Sequence, residues 1–85
     1  MLEMHWRERI ADQLARLGSE IERLGALLCE DEELMTRNLT ALQAVDAIAQ
    51  QQHCLATLLR ADDLDAAIDT LSFAALRERL IAARP

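Results

Sequence analysis

The chain has 85 residues, which is enough for one domain at most. Hydrophobic residues make up 52%, so composition does not call for disorder, but aromatics are only 2%, Trp6 and Phe73, leaving a core of Leu, Ile, Val and Ala. Net charge is −6 with no lysine, so there is no basic surface on which nucleic acid could condense, and no apolar run approaches membrane-spanning length.

Ala and Leu dominate, β-branched residues are sparse, and Gly18, Gly25 and Pro85 are the only strong breakers. This composition predicts an all-α fold. The first helix is expected over residues 3–29. Ile10, Leu14, Leu17, Ile21, Leu24 and Leu28 are spaced 4-3-4-3-4, the seam of a coiled-coil-like helix, and charged residues fill its other faces. Gly18 and Gly25 lower helix propensity within this run and permit close approach of a neighbouring helix.

An acidic cluster, Glu30 to Glu33, follows. Asp31 suits the N-cap of the next helix, with Glu32 and Glu33 in its first turn, where carboxylates favour the positive end of the helix dipole. The second helix is expected over 32–60. Its apolar stripe runs Leu39, Leu42, Val45, Ile48 or Ala49, Gln52, Leu55 and Leu59. A second line, Gln43, Asp46, Gln50, His53 and Thr57, repeats the same spacing with neutral hydrogen-bonding groups.

Residues 40–59 carry one formal charge, Asp46, in a chain that is 28% charged. A helix so poor in charge is expected to be covered on more than one side. In so short a chain, the second cover is expected from another molecule. Gln43, Asp46, Gln50, His53 and Thr57 are the candidate interface, and a homodimer of two hairpins the candidate assembly.

Asp62 and Asp63 offer a further N-cap. Leu64, Ile68 and Leu71 carry one apolar phase and Phe73, Leu76 and Leu80 another. The phase change near Ser72 predicts either one kinked helix over 63–83 or two short ones, with Ser72 capping the second. The architecture expected for 1–85 is therefore an antiparallel helical hairpin plus a short third element, completing a bundle by dimerisation.

The side chains offer little for catalysis or metal binding. No HxxxH, HExxH or CxxC pattern is present, and neither a metal nor another cofactor is expected. His5 and His53 are expected near one end of the hairpin. Cys29, near the turn, and Cys54 lie roughly 30 Å apart at 1.5 Å per helical residue, too far for a disulfide. Two reduced, half-buried thiols are expected. The N-terminus lacks a basic stretch followed by an apolar one, so no secretory leader is read, and the cytoplasm is the expected compartment.

Asp46 and Gln50 form an Asp-x-x-x-Gln pair, and side chains at i and i+4 project from one face. A carboxamide can orient a water and a carboxylate can engage a cation on a partner, as in-line hydrolysis of an acyl phosphate on another protein requires. This helix resembles the catalytic helix of the chemotaxis phosphatase CheZ family. The acidic stretch carrying Leu64, Ile68, Leu71 and Phe73 is similar to the helix with which that family docks its response regulator. The resemblance implies a dimeric hairpin in which Gln50 positions the attacking water and Asp46 contacts a lysine of the regulator, which brings its own metal. Here the docking element follows the hairpin directly, without a long linker. The reading taken from the residues alone is a non-enzymatic protein-interaction or regulatory protein, acting as a homodimer or adaptor. The alternatives are the phosphatase, whose partner is a response regulator, and a secretion or flagellar export chaperone, whose partner is a client protein.

Overall fold

The computed structural model describes residues 3–85, and every regular element among them is an α-helix. In chain order these are α1 (Met4–Cys29), α2 (Glu32–Arg37), α3 (Leu39–Arg60), α4 (Leu64–Asp69) and α5 (Ala74–Ala82). Met1 and Leu2, which head the segment read for a leader, lie outside the described residues. α1 packs along α3, giving the expected hairpin.

The contact between the two long helices is made by small side chains. Ala11 and Gly18 are buried on α1, and Ala49 and Ala56 on α3. On each helix the two are seven residues apart, the repeat that keeps one face toward an antiparallel neighbour. A Cβ added at Gly18 would lie 3.2 Å from the Ala49 carbonyl oxygen, so backbone approaches backbone there.

This packing corrects the expected seam. Ile10, Leu17 and Leu24 are 40%, 46% and 54% exposed, while Leu14, Ile21 and Leu28 are half-buried. α1 is turned so that Ala11, Gly18 and Gly25, each one residue after a seam leucine or isoleucine, face α3. Small residues let the helix axes come closer than Leu against Leu allows, and the larger side chains are displaced to the flank. The choice on α3 resolves the same way: Ala49 is fully buried and Ile48 is 49% exposed.

The expected single helix over 32–60 is interrupted at Asn38, whose backbone (φ −125°, ψ 25°) leaves the helical region. The Asn38 side-chain Nδ2 donates to the Leu34 carbonyl at 2.9 Å, an alternative hydrogen bond that makes asparagine a weak helix former. Backbone hydrogen bonds bracket the break: Asn38 N–H donates to Leu34 and Leu42 N–H donates to Asn38. Between these two bonds the helical ladder is broken, and it resumes at Leu42.

Both aspartate caps form as expected. Asp31 Oδ1 accepts from Leu34 N–H and Asp63 Oδ1 from Ala66 N–H, each at 3.1 Å. α4 is only six residues long, too short to persist unaided. Asp63→Ala should therefore cost about 1 kcal/mol, read as a lower urea midpoint, and Asp63→Asn should cost less.

The third element is two helices. Ser72 does not cap the second: Phe73 holds the N-cap position, without a side-chain cap bond. The connection is held instead by arginines. Arg77 Nη1 donates to the Leu71 carbonyl at 2.9 Å, and Arg84 bridges Asp65 and Asp69 at 3.2 and 3.1 Å, tying the chain end back to α4.

Leu58, Leu71 and Leu76 form the buried core of this half, with Cys54, Leu55, Ala67, Ile68, Phe73 and Leu80 packed around them. Leu58 comes two residues after Ala56, about 200° further round the helix. α4 and α5 therefore cover the side of α3 that points away from α1. The protein's own chain supplies a second cover for the last turns of α3, where another molecule was expected to provide it.

Candidate functional site

On one flank of the hairpin, α1 and α3 meet through polar groups. Glu22 Oε1 lies 2.5 Å from His53 Nε2, and Asp12 accepts from Arg60. His53 also packs over Gly18, where an added Cβ would stand 2.9 Å from its Nε2. Thr57 Oγ1 donates to the His53 carbonyl at 3.1 Å. Gln50 Nε2 donates to Asp46 Oδ2 at 3.0 Å, and both side chains are exposed. Gln43 is exposed at the outer end of the same line.

The neutral line of α3 therefore exists as one face. His53, Thr57 and the Asp46–Gln50 pair find hydrogen-bonding partners within the chain. Gln50, His53 and Thr57 also edge an open cavity of about 640 Å³, closed on its far side by Thr70, Ser72 and Phe73.

The four residues expected to dock a partner differ in exposure. Leu71 is buried in the core, Ile68 and Phe73 are half-buried against it, and Leu64 alone is exposed. His5 and His53 are also separated. Arg7 reaches the Ala61 carbonyl while His53 sits at Gly18, so the two histidines stand about 18 Å apart along the hairpin. His5 pairs locally with Glu3 at 3.3 Å. Among the described residues no three His, Cys, Asp or Glu side chains converge on a metal-sized site. Cys29 is exposed, in contrast to the half-buried thiol expected, and Cys54 is half-buried.

The opposite flank follows from the same geometry. Glu22 comes four residues after Gly18, and His53 four after Ala49; these meet on the polar side. Residues that precede the contact positions by one therefore turn to the other side on both helices. They are Ile10, Leu17 and Leu24 on α1, and Ile48 and Leu55 on α3. Between them Gln52 occupies the line from Val45, which lies against Gly25, to Leu59. The Gln52 Oε1 is buried and has no hydrogen-bond partner among the described residues. Toward the open end of the hairpin this surface deepens into a groove of about 630 Å³, floored by Leu55 and Leu59, walled by Leu14, Leu64 and Leu80, with Arg7 and Asp62 at its edge.

The sequence reading missed this surface because it spent all six seam residues of α1 on the hairpin. One signal was present: the line Ala11, Gly18, Gly25 runs beside Ile10, Leu17, Leu24 with the same repeat. When small and large heptad lines adjoin, the small one can take the intramolecular contact and leave the large one free.

The chain matches no family model, no curated protein and no solved structure. Among the described residues, no helix is long and apolar enough to cross a membrane.

Proposed function

We propose that the protein works by binding other protein surfaces, as a homodimer or adaptor, and that the apolar flank of the hairpin is its docking surface. The observation that supports this is the exposure of Ile10, Leu17, Leu24 and Ile48 on one side, together with the apolar groove beside Leu64. Exposed apolar surface clustered on one side carries a standing cost in water and marks contact sites. Helices that present residues at i and i+7 offer the pattern by which an apolar helix face is received. An apolar fluorescent dye should bind the monomeric protein or, if a partner already covers the flank, be excluded from it. A protein that remains monomeric at micromolar concentration and binds no dye would refute the reading.

A second reading, phosphatase action on a phosphorylated response regulator, draws support from the polar flank. Asp46 and Gln50 are exposed and already hydrogen-bonded to each other, and Gln50 edges the cavity that Phe73 closes. The Gln50 carboxamide gives its Nε2 to Asp46 and keeps its oxygen free to accept from a water. Gln50→Ala should abolish dephosphorylation of the regulator while leaving the helical circular dichroism unchanged. An unchanged dephosphorylation rate ends this reading.

A further inference from the structure

We propose that the occupant of the apolar flank is a second copy of this chain, antiparallel to the first and related to it by a two-fold axis at the level of Leu17 and Gln52. This rests on the docking reading above and names its partner.

The spacing of the residues on this flank carries the inference; Ile10, Leu17, Leu24 and Ile48 are exposed, and Gln52 and Leu55 are half-buried. On α1, Ile10 and Leu24 stand seven residues to either side of Leu17. On α3, Ile48 stands four residues before Gln52 and Leu55 three after it. The two midpoints lie at one height. Gly18 falls between Ala49 and His53, 3.2 Å from the Ala49 carbonyl and 2.9 Å from His53 Nε2 when its Cβ is built. Leu17, one residue earlier on the antiparallel helix, is then level with Gln52. A two-fold axis lying in the face and crossing both helices at that level turns each stripe onto itself. Leu17 meets Leu17, Ile10 meets Leu24, and Ile48 meets Leu55. A closed dimer needs this self-complementarity, whereas a partner of unrelated sequence has no use for it.

Gln52 supplies a second, independent observation. Its buried Oε1 has no partner among the described residues, and leaving such an acceptor unsatisfied costs about 1–3 kcal/mol. Gln52 is half-buried at the level of the axis, so its carboxamide must turn outward to meet the same group of the second copy, where each can donate and accept. A single polar residue in an otherwise apolar helical interface fixes register. None of the six residues in the two stripes is charged, so a chain of net charge −6 brings no like charges together along them.

Size is of the right order as well. α1 has 26 residues and overlaps its copy over about 39 Å, and α3 overlaps its copy over residues 44–60, about 26 Å; at about 10 Å of width per helix the footprint is roughly 650 Å² per copy. Stable protein–protein interfaces cover about 800 Å² per partner. The same register brings Leu39, 53% exposed, of one copy level with the groove beside Leu64 of the other.

The test is sedimentation at micromolar concentration combined with cross-linking in a Cys29→Ser, Cys54→Ser background. The intact protein should sediment as a dimer. Leu17→Cys should link into a dimer with a short bismaleimide, and Thr57→Cys, on the polar flank, should not. Leu17→Glu replaces a side chain that is already half exposed, so it should fold with unchanged helical circular dichroism and sediment as a monomer. A dimer that survives Leu17→Glu and links through Thr57→Cys overturns the proposal. So does a monomeric intact protein. If that monomer binds an apolar dye that Leu17→Glu abolishes, the docking reading survives the loss of the dimer; if it binds none, both fall.

Discussion

Replacing Gly18 by leucine should cost about 3 kcal/mol, while replacing Gly25 by alanine should add about 1 kcal/mol. The two glycines lie seven residues apart on the same face of α1, and sequence alone treats them alike. Their surroundings differ. A Cβ at Gly18 meets the Ala49 carbonyl oxygen at 3.2 Å and the His53 ring at 2.9 Å. The imidazole can turn aside; the carbonyl cannot move without moving α3. Any larger side chain there forces the helices apart along their whole contact and breaks the Glu22–His53 pair beside it. At Gly25 the nearest atom is Val45 Cγ1 at 3.5 Å, an ordinary contact, so alanine gains helix propensity without strain. For a domain of this size about 3 kcal/mol lowers the melting temperature by roughly 12–24 °C. Both variants should be compared with the parent at one protein concentration, because self-association would make the midpoint concentration-dependent. Equal shifts of one sign for the two variants would mean that the helices are not in close contact at Gly18.

The helices themselves were legible because each rests on local signals. The charged faces of α1, the Asp31 and Asp63 caps and the phase change near Ser72 are all read within a few residues. What could not be read was rotation. Ile10, Leu17 and Leu24 satisfy a seam pattern as well as Ala11, Gly18 and Gly25 do, and periodicity does not say which of two adjoining lines faces inward. Distance between backbones decides it, and that belongs to tertiary structure. Asn38 escaped for a related reason: its side chain competes for the Leu34 carbonyl with no mark in the hydrophobic pattern.

The candidate site was legible in kind and not in place. A helix nearly free of charge calls for cover, and α3 has part of it, from α1 at Ala49 and Ala56 and from α4 and α5 at Leu58. Periodicity does not show which element supplies the cover: Leu71 and Phe73, which suit a docking helix by spacing, pack in the core beside α3. With that second side closed internally, Ile10, Leu17, Leu24 and Ile48 remain exposed on one flank, and the line of Gln43, Asp46, Gln50, His53 and Thr57 lies on the opposite flank, largely bonded within the chain.

Leu58→Ala should produce the other large effect, a loss of about 3 kcal/mol concentrated in one part of the molecule. Leu58 is 5% exposed and packs in the cluster with Leu71 and Leu76, so truncation opens a cavity in the core joining α3 to α4 and α5. For an 85-residue domain, total stability is on the order of 4–13 kcal/mol, so this is a large fraction. The hairpin contact at Ala11, Gly18, Ala49 and Ala56 is not touched by the change. The expected result is therefore partial. Amides of α4 and α5 should lose hydrogen-exchange protection and residues 61–73 should become cleavable by protease, while the central turns of α1 stay protected. Such a variant would also separate the flanks by function. The cavity that Phe73 closes beside Gln50 would open, and the Ile10–Leu17–Leu24 stripe would be left in place. The dimer proposed through Leu17 should persist in it, weakened only to the extent that the groove beside Leu64 contributes. Uniform loss of protection across α1 and α5 would instead show that hairpin and third element unfold as one unit.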